Sequence, residues 1–331
     1  MNLRPTRGLA VLTLVLVAML LPSLSGATTS SGSSVRNGRL TISPFSYDNQ
    51  YPIPNGGIDT VGPHGGTHLL YLPKGCCIVF GLAWSPKGTL LAYSLTCISC
   101  PPPADSALGL HVVNLATRKD IRILPGYDGF DLDWSRQGSR IAFVMLGGLG
   151  ASGSIYVTKP NGTHTRRVLT GTQGRDTSPS FSPRGTRLVF ATLDPSCPKS
   201  GSQPVCSDQI VSIVHANGSH RRFLIAHATT PAWSPSGRLI AIRTLGRCSG
   251  IKLLTPTGKD VTPRRGRSAC RVIGVAGTPI WSPNGRRIAI QTTRGIYVMK
   301  ANGTGLALLT RQTGAGELFA IAPVRPAWRP R

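Results

Sequence analysis

Acidic side chains are what this chain has least of. Only 12 of its 331 residues are Asp or Glu, against 37 Lys and Arg, for a formal net charge of +25. Glu317 is the sole glutamate. Paired-carboxylate hydrolysis needs two acids at a fixed separation, and so small a supply leaves little to build it from. Nucleophilic catalysis lacks its signature as well, since no G-x-S-x-G elbow sits between a strand and a helix. The histidines (His64, His68, His111, His164, His215, His220 and His227) show no HExxH or comparable ligand spacing and read as ordinary loop and strand residues. Aromatic residues make up 6% of the chain, too few among the basic residues to stack bases, and no base-reading module is present. Sequence-specific nucleic acid is therefore not an expected partner.

Helical periodicity is missing beyond the N-terminus, and so is any long apolar run. Leu9–Leu21 is the longest, at 13 residues, whereas a spanning helix needs roughly 20. With Arg4 and Arg7 before it and Ser25-Gly26-Ala27 after it, residues 1–27 read as a secretory signal peptide. Cleavage there leaves no transmembrane span, and a retained leader would anchor the chain at its N-terminus. Residues 28–36 form a Ser/Thr/Gly linker. Everything from 37 to 331 is expected to be one domain.

That domain is built on a repeat. Trp281–Ile290 reads WSPNGRRIAI, and related units begin at Trp84 (WSPKGTLLAY), Trp134 (WSRQGSRIAF), Phe181 (FSPRGTRLVF) and Trp233 (WSPSGRLIAI). A sixth start, at Trp328, is cut off by the chain end, and successive starts lie 47 to 52 residues apart. In each unit the aromatic ends a strand, Ser-Pro-x-Gly turns the chain, and an alternating apolar run begins the next strand. A second hairpin follows, as in Ile155–Val157, Lys159-Pro160-Asn161-Gly162-Thr163 and Arg167–Thr170. Two hairpins per period make a four-stranded propeller blade. Asn37–Ile42 looks like the second half of a repeat that lacks its Trp-Ser-Pro, and Pro326–Pro330 looks like a first half with nothing after it. Joined, they complete a sixth blade. The expected fold is all-β: a six-bladed β-propeller of four-stranded antiparallel blades, closed by pairing the C-terminal strand with the N-terminal blade.

The unit W-S-P-x-G-x-x-I-A, followed by I-Y-V and N-G-T, resembles the repeat of TolB-like six-bladed β-propellers, a WD-type repeat of exported bacterial proteins. The resemblance covers residues 37–331 and implies that fold; an extra N-terminal domain of the kind TolB carries is not expected, a departure from that relative. One departure is systematic: the family usually has Asp after the Pro, where this chain has Lys87, Gln137, Arg184, Ser236 and Asn284.

Lettering the strands of a blade A to D outward from the channel places A–B and C–D turns on one face and B–C and D–A loops on the other. All eight cysteines then fall on the loop face, and in an exported chain they are expected as disulfides. If Trp84 opposes Thr89 across the first hairpin, Cys76 is level with Cys97, inside disulfide reach. The expected pairs are Cys76–Cys97, Cys77–Cys100, Cys197–Cys206 and Cys248–Cys270, with Cys76 and Cys77 able to exchange partners. Zinc or redox chemistry at Cys97-x-x-Cys100 lacks a second CxxC and a βαβ context.

Positive charge gathers on the turn face. The A–B turns bring Lys87, Arg136, Arg184, Arg286 and Arg287, and the C–D turns bring Arg118, Lys119, Arg166, Arg167, Arg221, Arg222 and Lys259. Such a surface attracts polyanions by its summed field, and in an exported protein these are cell-wall polymers, lipid headgroups or extracellular nucleic acid. The competing reading is a solvated basic surface of compositional origin. Asp128, Asp131 and Asp133, with Asp176 on the equivalent approach in the next blade, are weak candidates for a cation site and otherwise cap loops. Asn161, Asn217 and Asn302 match a glycosylation sequon, but each sits where Asn-Gly builds a hairpin turn. Trp84, Trp134, Phe181, Trp233, Trp281 and Trp328 recur once per blade and are expected to pack blades together.

Two functions follow. One is an exported, monomeric, non-enzymatic scaffold, without cofactor, that binds a protein or anionic envelope polymer through one face. The other is a metal-dependent propeller hydrolase or lyase with its site at the channel mouth near Asp131.

Overall fold

The computed structural model describes residues 37–42, 47–48, 51–52, 57–61, 67–73, 78–96, 108–126, 129–145, 153–169, 176–193, 199–200, 203–204, 209–245, 250–263, 276–292, 295–311 and 327–330. The leader and linker lie outside these.

Local chemistry sets the repeat. In all five complete S-x-x-G turns the serine hydroxyl accepts the amide of the residue five positions on: Leu90, Arg140, Arg187, Leu239 and Arg287, at 2.9–3.1 Å. The glycine amide returns to the serine carbonyl at 2.7–2.9 Å, with glycine φ between 65° and 75°. These five serines are buried. A buried hydroxyl that accepts an amide the ladder cannot reach explains why the motif requires Ser.

Among the described residues the strands assemble into six antiparallel blade sheets, with two small hairpins outside them (Tyr47–Asp48 with Tyr51–Pro52, and Lys199–Ser200 with Gln203–Pro204). Blade two is Ile78–Trp84, Leu90–Thr96, Gly109–Asn114 and Lys119–Pro125. Blade three is Gly129–Trp134, Ile141–Met145, Ser154–Thr158 and Arg166–Arg167. Blade four is Asp176–Phe181, Arg187–Leu193, Gln209–His215 and Arg222–Ala226. Blade six is Ala276–Trp281, Arg287–Thr292, Gly295–Lys300 and Ala307–Arg311. Blade one combines both ends of the domain: Ala327–Pro330 pairs with Asn37–Ile42, which continues to Ile58–Val61 and Thr67–Tyr71. Leu40 faces Trp328 across that pair.

Among the described residues, blade five shows three strands rather than four. It has Ala228–Trp233, Ile240–Thr244 and Ile251–Leu254, and its outer position is reduced to a single bridge between Leu254 and Asp260. Side chains add to the ladder there, where the Val261 amide still bonds the Leu253 carbonyl at 2.8 Å. Asp260 Oδ1 accepts both the amide (2.9 Å) and the hydroxyl (2.6 Å) of Thr262, whose Oγ1 accepts the Leu253 amide at 2.9 Å. Pro263 then has no amide to offer an adjoining strand.

The A strands touch one another in a closed cycle from Ile78–Trp84 round to Ala327–Pro330 and back. Five of the repeat aromatics sit at the seams. Trp84 packs with Ile58 of blade one, Trp134 with Leu110 and Ile123 of blade two, and Phe181 with Val144 and Val157 of blade three. Trp233 meets Val189 and Val211 of blade four, and Trp281 meets Ile251 and Leu253 of blade five. The sixth seam joins Leu40 and Val61 to Ala289 and Ile296. Burying each such ring contributes about 1.5–3 kcal/mol, so the seams hold much of the domain's stability.

Candidate functional site

The turn face is an interlocked ring. Pro86 of blade two lies 3.6 Å from where a Cβ would stand on Gly138 of blade three; Pro183 and Pro235 approach Gly237 and Gly285 in the same way. Where blade three has Arg136 instead of Pro, Gln137 fills the gap and donates to the Pro183 carbonyl at 2.5 Å. The C–D turns lock similarly. A Cβ on Gly162 would stand 2.2 Å from the Ile123 carbonyl oxygen of the preceding blade, and one on Gly218 2.0 Å from that of Val168. Asn161, Asn217 and Asn302 each accept the amide and hydroxyl two residues on, so these Asn-Gly sites are hairpin turns.

All twelve cations assigned to this face (Lys87, Arg118, Lys119, Arg136, Arg166, Arg167, Arg184, Arg221, Arg222, Lys259, Arg286 and Arg287) are exposed. Several also hold the face together. Arg166 donates to the Ala216 carbonyl at 2.6 Å, Arg222 to Pro256 (2.6 Å) and Thr257 (3.3 Å), and Arg136 to Pro235 at 3.4 Å, two blades along. Arg221 folds back on its own blade, its guanidinium 5.3 Å from the Phe190 ring and bonded to Thr192. Arg140, not singled out in the sequence, donates to Gly185 at 2.6 Å and lies over Phe181. Burial, and then the Arg166 charge, hold its pKa below the ordinary guanidinium value. Asp260, at the outer edge of blade five's C–D turn, is paired with Lys252 at 3.5 Å.

A concavity opens on this face. A cleft of about 450 Å³ between blades one and two is lined by Arg39, Thr60, Leu70, Lys87, Gly88, Thr89 and Arg329, with no carboxylate among them. Arg329 Nε donates to the Gly88 carbonyl at 3.1 Å, and its guanidinium sits 4.8 Å from the Trp84 ring centre. Trp84 Nε1 donates to Thr41 Oγ1 at 2.9 Å, so the arginine rests on a fixed ring. In the sequence Arg39 and Arg329 fall inside the two half-repeats at the ends of the domain, Asn37–Ile42 and Pro326–Pro330. Arg329 stands where every other unit has Ser, the one signal that marked it in advance.

Beside the cleft lies a polar network that the sequence reading also missed. Tyr71 Oη donates to Asp120 Oδ2 at 2.7 Å, Tyr93 donates to the same oxygen, and His111 Nδ1 is 3.3 Å from Oδ1. The Tyr93 and His111 rings stack at 5.1 Å. Burial alone would raise the Asp120 pKa, but hydrogen bonds from His111, Tyr93 and Tyr71 outweigh it and hold the carboxyl below its ordinary 3.8. Burial, then the Asp120 carboxylate, push Tyr71 up to about 12. Tyr93, more deeply buried, is pushed further the same way. Arg118 ties this corner to blade one by donating to the Leu70 carbonyl at 3.2 Å.

Two of the candidate metal acids are used as inter-blade acceptors. Asp131 Oδ2 accepts the amide (2.9 Å) and hydroxyl (3.1 Å) of Ser178, and Asp133 Oδ2 accepts the Phe181 amide at 2.6 Å. Asp131 holds a left-handed φ of 53° at the bulge that Ser178 (52°) and Thr230 (45°) repeat in the next two blades. Asp176 is fully buried and accepts the Thr192 hydroxyl at 2.7 Å. Asp128 lies outside the described residues. Among the described residues no three His, Cys, Asp or Glu side chains cluster as a metal site would require.

The hairpin register differs from the sequence expectation. Trp84 faces Leu91 rather than Thr89, because Ser85 pairs its amide with the Leu90 carbonyl and the turn encloses Pro86–Thr89. The arithmetic that set Cys76 opposite Cys97 rested on the shorter loop. Cys76, Cys77, Cys97, Cys100, Cys197, Cys206, Cys248 and Cys270 all lie outside the described residues.

No family model matches the chain. Over 127 residues it is 32% identical to a TolB homologue protein of Chlorobium luteolum, a match covering 38% of this chain and 27% of that relative's length. Among solved structures, TolB from Acinetobacter baumannii shares the fold with a TM-score of 0.64 at 15% identity, over 88% of this chain and 66% of that one. A chain of the nidogen/laminin complex gives a TM-score of 0.57 at 12% identity, covering 88% and 98%. Fold and seam chemistry define the class, a six-bladed β-propeller. Within that class the chain resembles TolB: part of its sequence is similar to a TolB homologue, and its fold is similar to that of solved TolB.

Proposed function

We propose that the protein is an exported, non-enzymatic propeller scaffold that binds a protein or an anionic envelope polymer through its turn face. The supporting observation is that ring of turns. Its exposed cations stand on a surface whose Pro–Gly contacts and arginine–carbonyl bonds fix it before any partner arrives, so association orders little and long-range attraction is concentrated on one side. The carboxylates at the channel mouth are occupied in joining blades three and four, which favours the scaffold over a metal-dependent hydrolase or lyase. Export is supported by the leader-like residues 1–27; no helix among the described residues is long and apolar enough to cross a membrane.

The test is capture from native envelope extract on the immobilised full chain, compared with a variant carrying Lys87→Ser, Arg184→Ser, Arg286→Ser and Arg287→Ser. Mass spectrometry and phosphate assay of the eluates distinguish a protein from a polymer. The proposal expects the bound component to be lost with the variant, and identical capture by both chains would refute it.

A further inference from the structure

We infer that the cleft between blades one and two is a binding site for a compact phosphate group. The inference rests on the reading of the turn face as the binding face and assigns it one anchoring point. Three cations from distant parts of the chain converge there: Arg39 from the N-terminal strand, Lys87 from the A–B turn of blade two, and Arg329 from the closing strand. Among the described residues no carboxylate lines the cleft to neutralise them. Three positive charges around one small space favour a dianion over a single carboxylate by simple Coulomb attraction. The residue types suit it too, since guanidinium forks grip phosphate oxygens in pairs and lysine adds a mobile point charge.

Arg329 is already oriented. The bond from its Nε to Gly88 and the Trp84 ring beneath it hold the guanidinium at the cleft wall, leaving the terminal amino groups without a partner among the described residues. Thr89 presents an exposed side chain at the rim, and the Thr60 hydroxyl is spent on the His68 carbonyl at 3.4 Å. Blade one is the only blade whose A–B connection is divided between the two chain ends. The serine that elsewhere satisfies the turn amide is replaced there by this arginine. A structural motif is thus given up where a cationic cleft is gained.

The experiment is calorimetric titration of the full chain with inorganic phosphate, pyrophosphate and glycerol 1-phosphate at constant ionic strength, with a poly(glycerol phosphate) chain as a further arm. Lys87→Ser with Arg39→Ser disarms the cleft at exposed positions, and Ser at position 87 matches the residue blade five carries in its own turn. Arg286→Ser with Arg287→Ser is the equal-charge control on the same face. The inference expects the free phosphates to bind, with affinity falling at least tenfold in the cleft variant and less than twofold in the control. Equal losses in both variants would replace the cleft with a diffuse field. Binding of the polymer without the free phosphates would also overturn a compact site. Retention on heparin separates the two readings. If it persists in the cleft variant, only the phosphate site is at stake; if it fails in the wild type while phosphate binds, only the wider face is.

Discussion

Single residues carry the blade-to-blade joints. Gly218 combines a φ of 93° with the Val168 carbonyl 2.0 Å from a built Cβ, whereas Gly126 has a φ of 69° and nothing within 4 Å. Gly126→Ala should therefore lose only the left-handed strain, about 1–2 kcal/mol. Gly218→Ala should lose that plus about 1–3 kcal/mol of overpacking. Urea unfolding of the pair measures the difference, and equal losses would mean that the seam does not close as tightly as described. Asp120 provides a second residue-scale check. Its carboxyl is held below 3.8, so it contributes stability above the ordinary carboxylate range that is lost as pH falls through the lowered value. Tyr71 is raised, so its contribution is complete below the ordinary phenol value of 10 and is lost as pH rises through about 12. Asp120→Asn should flatten both ends of the stability–pH curve and cost about 1.5–3 kcal/mol at neutral pH. A curve of unchanged shape would exclude the network.

Among the elements, the closing strand bears the most. Arg329→Ala removes the bond to Gly88 and the contact with Trp84, and should cost about 1–2 kcal/mol. Deleting residues 327–331 should cost far more, because it frees one edge of Asn37–Ile42 and breaks the cycle of inner strands between Ala276–Trp281 and Ile78–Trp84. Limited proteolysis is the measurement: rapid nicking of blade one is expected in the truncated chain and not in Arg329→Ala. The strands were legible in the sequence because Trp-Ser-Pro-x-Gly combines a packing anchor, a hydroxyl acceptor and a positive-φ residue at fixed spacing. The short outer position described in blade five was not, since it is held by one bridge, the Val261 amide and the Asp260 and Thr262 side chains, none of which alters the apolar pattern. The register of the blade-two hairpin was misread for a related reason. The pattern marks which residues alternate but not how many the turn encloses.

On the scale of the whole molecule, the ring turns a repeat into two different faces. That the turn face is basic could be read from the sequence, because every turn falls at a known place in the period. The cleft could not, since Arg39, Lys87 and Arg329 meet only when the two ends of the domain share a blade. Nor did composition reveal that arginines such as Arg166 and Arg222 bond the next blade while still facing solvent. The central claim is that charge on this face, rather than net charge, makes the protein a binding scaffold. The most direct test is the salt concentration at which the full chain leaves heparin, measured for two equally charged variants, Arg286→Ser/Arg287→Ser on the turn face and Arg122→Ser/Lys252→Ser on the outer parts of the blades. The account predicts clearly earlier elution for the turn-face pair; co-elution of the two would contradict it.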